Sequence, residues 1–281
     1  MRTKSDDEST RLIMMTEDKS EKLDHILKGM GPVVVAFSGG VDSSFLLYRA
    51  NKIKKKDLAA VTVKTPYIPQ REIDDAAEFA LKFGIKHHIL ELDFPEVIRN
   101  NPVERCYLCK KTLFSHIKEF AGNNKYDHIL DGSNFDDSKE FRPGLKALKD
   151  MGIRSPLLES GLTKSEIRDF LHREGLEIWD KPAMACLLTR IPYNTEIRPE
   201  SLRTIEEAEN ILFEKGYPGA RVRMHGDIAR IECLQGYLEK IIMDPDREHI
   251  VGKLKKLGFR YISLDLEGYR TGSLNPENRE K

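Results

Sequence analysis

The stretch VVVAFSGGVDSSFLL (33–47) confines this chain to a narrow set of folds. An apolar run over 32–37 reads as a buried strand, and VDSSFLLYRANK reads as a helix that follows at once. Between them stand only Ser38, Gly39 and Gly40. A strand that turns through glycine straight into a helix belongs to a crossover unit with a parallel sheet. Such a turn also has a chemical use. Gly39 and Gly40 let backbone approach an anion closely, and the N–H groups at the helix start, with the positive end of its dipole, hold phosphate. Ser38 and Ser43 add hydroxyl donors, Val41 and Asp42 form the first turn, and Asp42 can help hold Mg²⁺ through water. No G-x-x-x-x-G-K-[ST] occurs, so the loop is not of the Walker type. A plain glycine turn with a serine cap is the simpler alternative, and the strand–turn–helix context speaks against it.

The same alternation continues. Strands are expected over 57–63, 86–92 and 126–132, with a helix over 69–83. A longer insert from Pro95 separates the third strand from the fourth, and TKSEIRDFLHREG opens with a capping box, Thr163 to Glu166. The expected fold class is α/β, a parallel sheet with helices on both faces, plus a smaller C-terminal α+β domain. A polar joint, IPYNTEIRPES, follows Arg190. Beyond it come a helix (200–215), two strands (219–225 and 228–234) turning at Gly226-Asp227, a helix (246–257) and a strand (260–266). The boundaries expected are a flexible leader over 1–19, a nucleotide domain over 20–190, a small domain over 198–268 and a loose tail over 269–281.

Four cysteines are too few for a disulfide framework and more in keeping with metal binding or catalysis in a reducing compartment. Cys106 and Cys109 make a C-x-x-C, half of a tetrahedral site. From spacing alone, Cys186 with either Cys233 or a histidine can complete a structural zinc site. Cys233 sits on an alternating strand, ARIECL, which places it with Ile231 on one face and favours a core role. Met184 and Ala185 read as core filler, and Cys186 itself is open to that reading. Lys110 and Lys111 can raise the thiolate fraction of Cys109 or merely cover a solvated helix face. Adjacent His87 and His88 point to opposite faces and share no metal site. Arg221 and Arg223 share a strand face, with Arg230 nearby; two like charges there are either solvated or gathered around an anion.

Lys plus Arg and Asp plus Glu balance at 46 each, so no global basic field points to nucleic acid. No apolar run is long enough to span a membrane, and the polar N-terminus lacks the apolar core of a secretory signal. The cytoplasm is the expected location.

SGGVDS (38–43) resembles the pyrophosphate loop of the N-type ATP pyrophosphatases, the PP-loop superfamily, whose fold is that of the adenine nucleotide alpha hydrolases. DGSN (131–134) ends the fourth strand where such folds place a second nucleotide-facing loop, which brings in Gly132. GLEIWDKPAMACLLTRIPYNTEI (175–197), with RCYLCKKTLF, RPGLKALKDMGIRSPLLESGLTKSEIR and RVRMHGDIARIE, resembles the LarE family over roughly residues 20–270. These are ATP-dependent sulfur transferases of nickel-pincer nucleotide biosynthesis. The resemblance implies that ATP activates a carboxylate of pyridinium-3,5-biscarboxylic acid mononucleotide as an acyl-adenylate, and that sulfur then displaces AMP.

It implies ATP contacts at Ser38, Gly39, Gly40, Val41, Asp42, Ser43 and Gly132, and catalytic roles for Asp42 and Cys186. For Arg221 and Arg223 it favours the substrate phosphate, and Arg190 and Glu196 can face the site. One family pattern sacrifices a single cysteine, matching Cys186, and leaves dehydroalanine. The other adds a C-x-x-C and binds a 4Fe–4S cluster through three cysteines, here Cys106, Cys109 and Cys186. This chain fits the second pattern. The implied cofactors are ATP, Mg²⁺ and the cluster. A small-molecule nucleotide is the implied partner, without nucleic acid or membrane, in a homo-oligomer. The competing expectations are a PP-loop tRNA 2-thiolase and a non-catalytic nucleotide-binding or metal-storage module.

Overall fold

The computed structural model describes residues 17–139, 143–183 and 185–270. The chain divides into two compact units, one running through Lys64 with Gln70–Leu92 and Cys106–Lys181, the other made of Thr65–Pro69, Asp93–Arg105 and the chain from Pro182.

The first unit is built on four parallel strands in the order β3-β2-β1-β4: β1 (Val33–Ala36), β2 (Leu58–Lys64), β3 (His87–Glu91) and β4 (His128–Leu130). Alternation along β1 and β2 sorts the core into two layers. Val33, Val35, Leu58 and Ala60 pack with α1 (17–28), α2 (Val41–Lys54), α3 (Gln70–Lys82) and α7 (Lys164–Arg173). Val34, Ala59, Val61 and Val63 pack on the other side with α4 (Arg105–Asn123) and α5 (Pro143–Asp150). Both faces of the sheet are therefore covered, as the near-continuous apolar strands require. Each fully buried Val or Leu contributes about 1.5–3 kcal/mol to that arrangement.

Two features go beyond the sequence reading and have physical causes. The C-x-x-C of the insert from Pro95 opens α4, the 19-residue crossover helix from β3 to β4, because Phe114, Ile117 and Ala121 recur at helical spacing and seal the sheet. Helix α1 is already formed at residue 17, within the stretch expected to be leader, and Lys19 bonds Glu166 at 2.7 Å. That same Glu166 completes the capping box with Thr163 at the start of α7. The expected leader over 1–16, the tail over 271–281 and Met184 lie outside the described residues.

The second unit carries a three-stranded mixed sheet, β5-β6-β7, from β5 (Arg221–His225), β6 (Ile228–Glu232) and β7 (Tyr261–Leu264). The β5–β6 hairpin turns at Gly226, whose φ is +62°, and β7 joins β6 in parallel. Helices α8 (Pro199–Glu214), α9 (Leu238–Ile242) and α10 (Arg247–Lys256) contribute to its core around Val222, Ala229, Ile231 and Leu254. Cys233 is buried in that core, and burial pushes its thiol pKa up. Tyr269 is tied in by its N–H to the Cys233 carbonyl at 2.8 Å, so the first residue of the expected tail is bonded. A short helix, α6 (Pro156–Ser160), completes the inventory among the described residues.

Candidate active site

In the first unit, β1 and β4 are neighbours at the point where the strand order reverses, and the loops leaving their carboxyl ends meet at Gly132 and Ser43, the usual ligand position of such sheets. The β1–α2 loop is tightly bounded. Gly39 takes φ +70°, and a Cβ there would lie 3.1 Å from the Glu72 carbonyl oxygen and 3.2 Å from the Ala76 Cβ. The loop therefore rests directly on the first turns of α3. Gly40 is the N-cap of α2 in an extended conformation and, having no side chain, covers none of the first-turn N–H groups. The Ser38 and Ser43 hydroxyls are 3.1 Å apart, and Ser43 Oγ donates to the Gly40 carbonyl at 3.0 Å, closing the loop on itself. Val41 is buried beneath it.

The β4 loop comes equally close. A Cβ on Gly132 would sit 2.9 Å from both the Cα and the N of Ser43, so only glycine allows residues 131–134 to lie on the start of α2. Asp131 is held by Ser133 Oγ at 2.7 Å and Ser155 Oγ at 2.5 Å, with Lys110 Nζ 3.6 Å away.

Two lysines that sequence reasoning missed meet this loop. Lys164 Nζ lies 2.8 Å from Asp42 Oδ2, while the other carboxylate oxygen, Oδ1, is buried with no hydrogen-bond partner. A carboxylate oxygen left so beside the glycine loop fits a Mg²⁺ ion or its water, which would supply the missing partner. Lys181 Nζ donates to the Gly39 carbonyl at 3.0 Å and reaches Asp75 at 2.7 Å and Glu72 at 3.1 Å. Burial pushes the Glu72 carboxyl above the usual range, against the pull of Lys181. The only sequence signal for Lys164 is its position just after the capping-box Thr163, and for Lys181 its position before Pro182.

In the second unit Arg221 and Arg223 are not solvated. Arg221 and Arg223 are 1% and 4% exposed, which removes the surface reading. Arg223 donates to Glu232 at 2.7 and 3.0 Å and to the Thr189 carbonyl at 2.5 Å. Arg221 donates to the Gly219 and Ala183 carbonyls; burial and the nearby Arg190 cation push its pKa down. Arg230 pairs with Glu232 at 2.9 Å and Asp265 at 3.2 Å. Arg190 is fully buried and bonded bidentately to Glu209 at 2.8 and 2.9 Å. Glu209 also accepts the Val222 N–H at 3.0 Å, so this carboxylate ties α8 to β5. Arg190 is thus a buried strut, and Glu196, which pairs with Arg198, is exposed.

Cys106 and Cys109 stand one turn apart on the first turn and a half of α4, Cys106 exposed and Cys109 half-buried. Cys186 belongs to the second unit, half-buried ahead of the 3-10 turn Leu187–Arg190, and its carbonyl accepts from Thr189 Oγ1 at 3.0 Å and Arg190 Nη1 at 3.1 Å. Ala185 is exposed, so it is not core filler. Among the described residues no group of three or more His, Cys, Asp or Glu stands ready for a metal. No helix among them is long and apolar enough to cross a membrane.

A family model described as asparagine synthase matches residues 23–110, which include the β1–α2 loop. An uncharacterised protein of Synechocystis is 36% identical over 264 residues, 93% of this chain and 98% of that one. Pyridinium-3,5-bisthiocarboxylic acid mononucleotide synthase of Lactiplantibacillus plantarum is 35% identical over 252 residues, 89% of this chain and 91% of that one. At 28% identity over 230 residues, a tRNA-specific 2-thiouridylase of Rickettsia rickettsii matches 66% of this chain and 61% of its own length.

Proposed function

The chain belongs to the LarE family of pyridinium-3,5-bisthiocarboxylic acid mononucleotide synthases, and we propose that it converts a carboxylate of pyridinium-3,5-biscarboxylic acid mononucleotide to a thiocarboxylate at the expense of ATP. The observation that carries this reading is the correspondence with the Lactiplantibacillus synthase along 91% of its length. In the first step a substrate carboxylate oxygen attacks the α-phosphorus, the bond to the β-phosphate oxygen breaks, and pyrophosphate leaves. The N–H groups at the start of α2, framed by Gly39 and Gly132, would hold the leaving pyrophosphate, with Mg²⁺ at Asp42 sharing its charge. In the second step sulfur attacks the acyl carbon and AMP departs with its electron pair. A carboxylate is a poor acyl donor, and the adenylate makes it a good one.

Cys106, Cys109 and Cys186 are the thiolates assigned to a 4Fe–4S cluster, and thiolate is the ligand such clusters take. Bound by three cysteines, the cluster would leave one iron open to carry sulfide. The one-turn spacing of Cys106 and Cys109 on α4 supports that pair. Arg221 and Arg223 are assigned to the substrate phosphate: two guanidinium groups gathered on one strand face are the side chains that recognise phosphate oxygens best. A nucleotide domain over 20–190, a small domain over 198–268, a homo-oligomeric assembly and a cytoplasmic location complete the reading.

The test is a reaction of the purified chain with the mononucleotide, Mg²⁺·ATP and sulfide. Pyrophosphate release that requires the mononucleotide, and a product in which sulfur replaces oxygen by mass, are expected. Asp42→Ala abolishes both. Pyrophosphate release driven by tRNA instead would transfer the assignment to the thiouridylase reading.

A further inference from the structure

We infer that Lys181 is a positioning residue for the phosphate loop: by holding the Gly39 carbonyl it locks the Gly39–Gly40 peptide in the orientation that aims the Gly40 N–H at the ATP phosphates. The inference rests on the ATP-using function proposed above. A trans peptide holds its C=O and N–H in one plane, pointing in opposite directions, so fixing the Gly39 oxygen fixes the Gly40 N–H direction. A peptide between two glycines is also the kind that flips at least cost, since both flanking residues tolerate positive and negative φ. Here the flip is opposed from outside the loop. Lys181 Nζ lies 3.0 Å from the Gly39 oxygen, and its side chain is only 15% exposed.

The lysine is itself held at both ends. Its charge is fixed by Asp75 at 2.7 Å and Glu72 at 3.1 Å, both in the first turns of α3. Its backbone is held by Arg168 of α7, which donates to the Lys181 carbonyl at 2.8 Å and to that of Trp179. Glu72 serves twice, since its own carbonyl blocks any Cβ on Gly39 at 3.1 Å. A buried Glu72 Oε1 without a hydrogen-bond partner shows that this carboxylate is not placed for its own solvation. Its other oxygen pairs with Lys181 Nζ at 3.1 Å. The assembly α3–Lys181–α7 thus clamps the Gly39–Gly40 peptide.

The consequence is a loss confined to ligands that use the loop. In Lys181→Met the peptide samples both orientations, and apparent affinity falls with the fraction left in the competent one. Removal of one charge-assisted hydrogen bond predicts an ATP Kd raised about ten- to a hundred-fold. AMP, which lacks the β- and γ-phosphates, should bind within about twofold of wild type. Because the amide is aligned before chemistry, KM for ATP rises while kcat at saturating ATP is kept. Calorimetric titration of the full chain with Mg²⁺·ATP and with AMP reads the split, beside a thermal melt of each variant.

An unchanged ATP affinity, or equal losses for ATP and AMP, would overturn the inference. If Lys181→Met does not fold, Asp75→Asn loosens the same lysine from a more exposed site and should show a smaller loss, again confined to ATP; no loss there overturns the inference too. A wild-type chain that binds no ATP would instead remove the proposed function, and this inference with it.

Discussion

Gly132→Ala is the sharpest perturbation the structure offers, because it adds one methyl group where two backbone segments touch. The new carbon would lie 2.9 Å from the Cα and N of Ser43 and 3.2 Å from its Cβ. Carbon atoms in contact settle at about 3.5–4.0 Å, so the β4 loop and the start of α2 must separate by about half an ångström or more. Neither side is the end of a flexible side chain. The Ser43 N is a backbone atom in the first turn of α2, and Asp131 beside Gly132 is pinned by Ser133 and Ser155. Overpacking of this kind costs about 1–3 kcal/mol.

The functional loss should exceed the stability loss, since a displacement approaching 1 Å in a positioned site can cost about 100-fold in rate. Urea denaturation gives the stability and pyrophosphate release the rate. The matched control is Gly122→Ala in α4, where a Cβ meets nothing within 4 Å. There the helix should gain about 0.5–1 kcal/mol with activity intact. Gly132→Ala within about 0.5 kcal/mol of wild type and with normal ATP turnover would refute the reasoning from close approach.

Three further outcomes are expected. Arg190→Met leaves Glu209 buried without its cation and should cost about 3–5 kcal/mol by urea denaturation; a loss under about 1 kcal/mol would mean the pair is not a strut. Burial holds the His87 and His88 pKa values below that of a free imidazole, with His88 and Lys86 respectively adding to it. The folded state therefore binds fewer protons than the unfolded one, and stability present above about pH 6.5 falls as the pH drops. His87, bonded to Thr62 Oγ1 at 2.7 Å, should carry part of that slope, so denaturation midpoints between pH 7.5 and 5.5 should flatten in His87→Gln. Finally, Cys106→Ala should abolish anaerobic iron and sulfide content together with repeated turnover while Cys186 keeps its mass. Full activity in that variant, with dehydroalanine at Cys186, would favour the sacrificial route instead.

The sequence by itself determined the elements whose cause is local. Apolar runs bounded by glycine specify β1 and α2, the Thr163–Glu166 capping box starts α7, and the Gly226-Asp227 pair turns the β5–β6 hairpin. The shape of the β1–α2 loop was legible for the same reason, because a strand, two glycines and a helix are contiguous. What the sequence could not decide is every contact set by approach between distant segments. Gly132 reads as an ordinary strand-ending turn until Ser43 is seen 2.9 Å from its missing Cβ. Lys164 and Lys181 find Asp42 and Gly39 across more than a hundred residues, and no periodicity encodes such a pairing. Period-two alternation placed Arg221 and Arg223 on one face, but only packing against Glu209, Glu232 and the surrounding carbonyls makes burying these guanidinium groups tolerable. Local propensity acts through neighbours in the chain. Burial and charge pairing act through neighbours in space, and these the folded structure alone supplies.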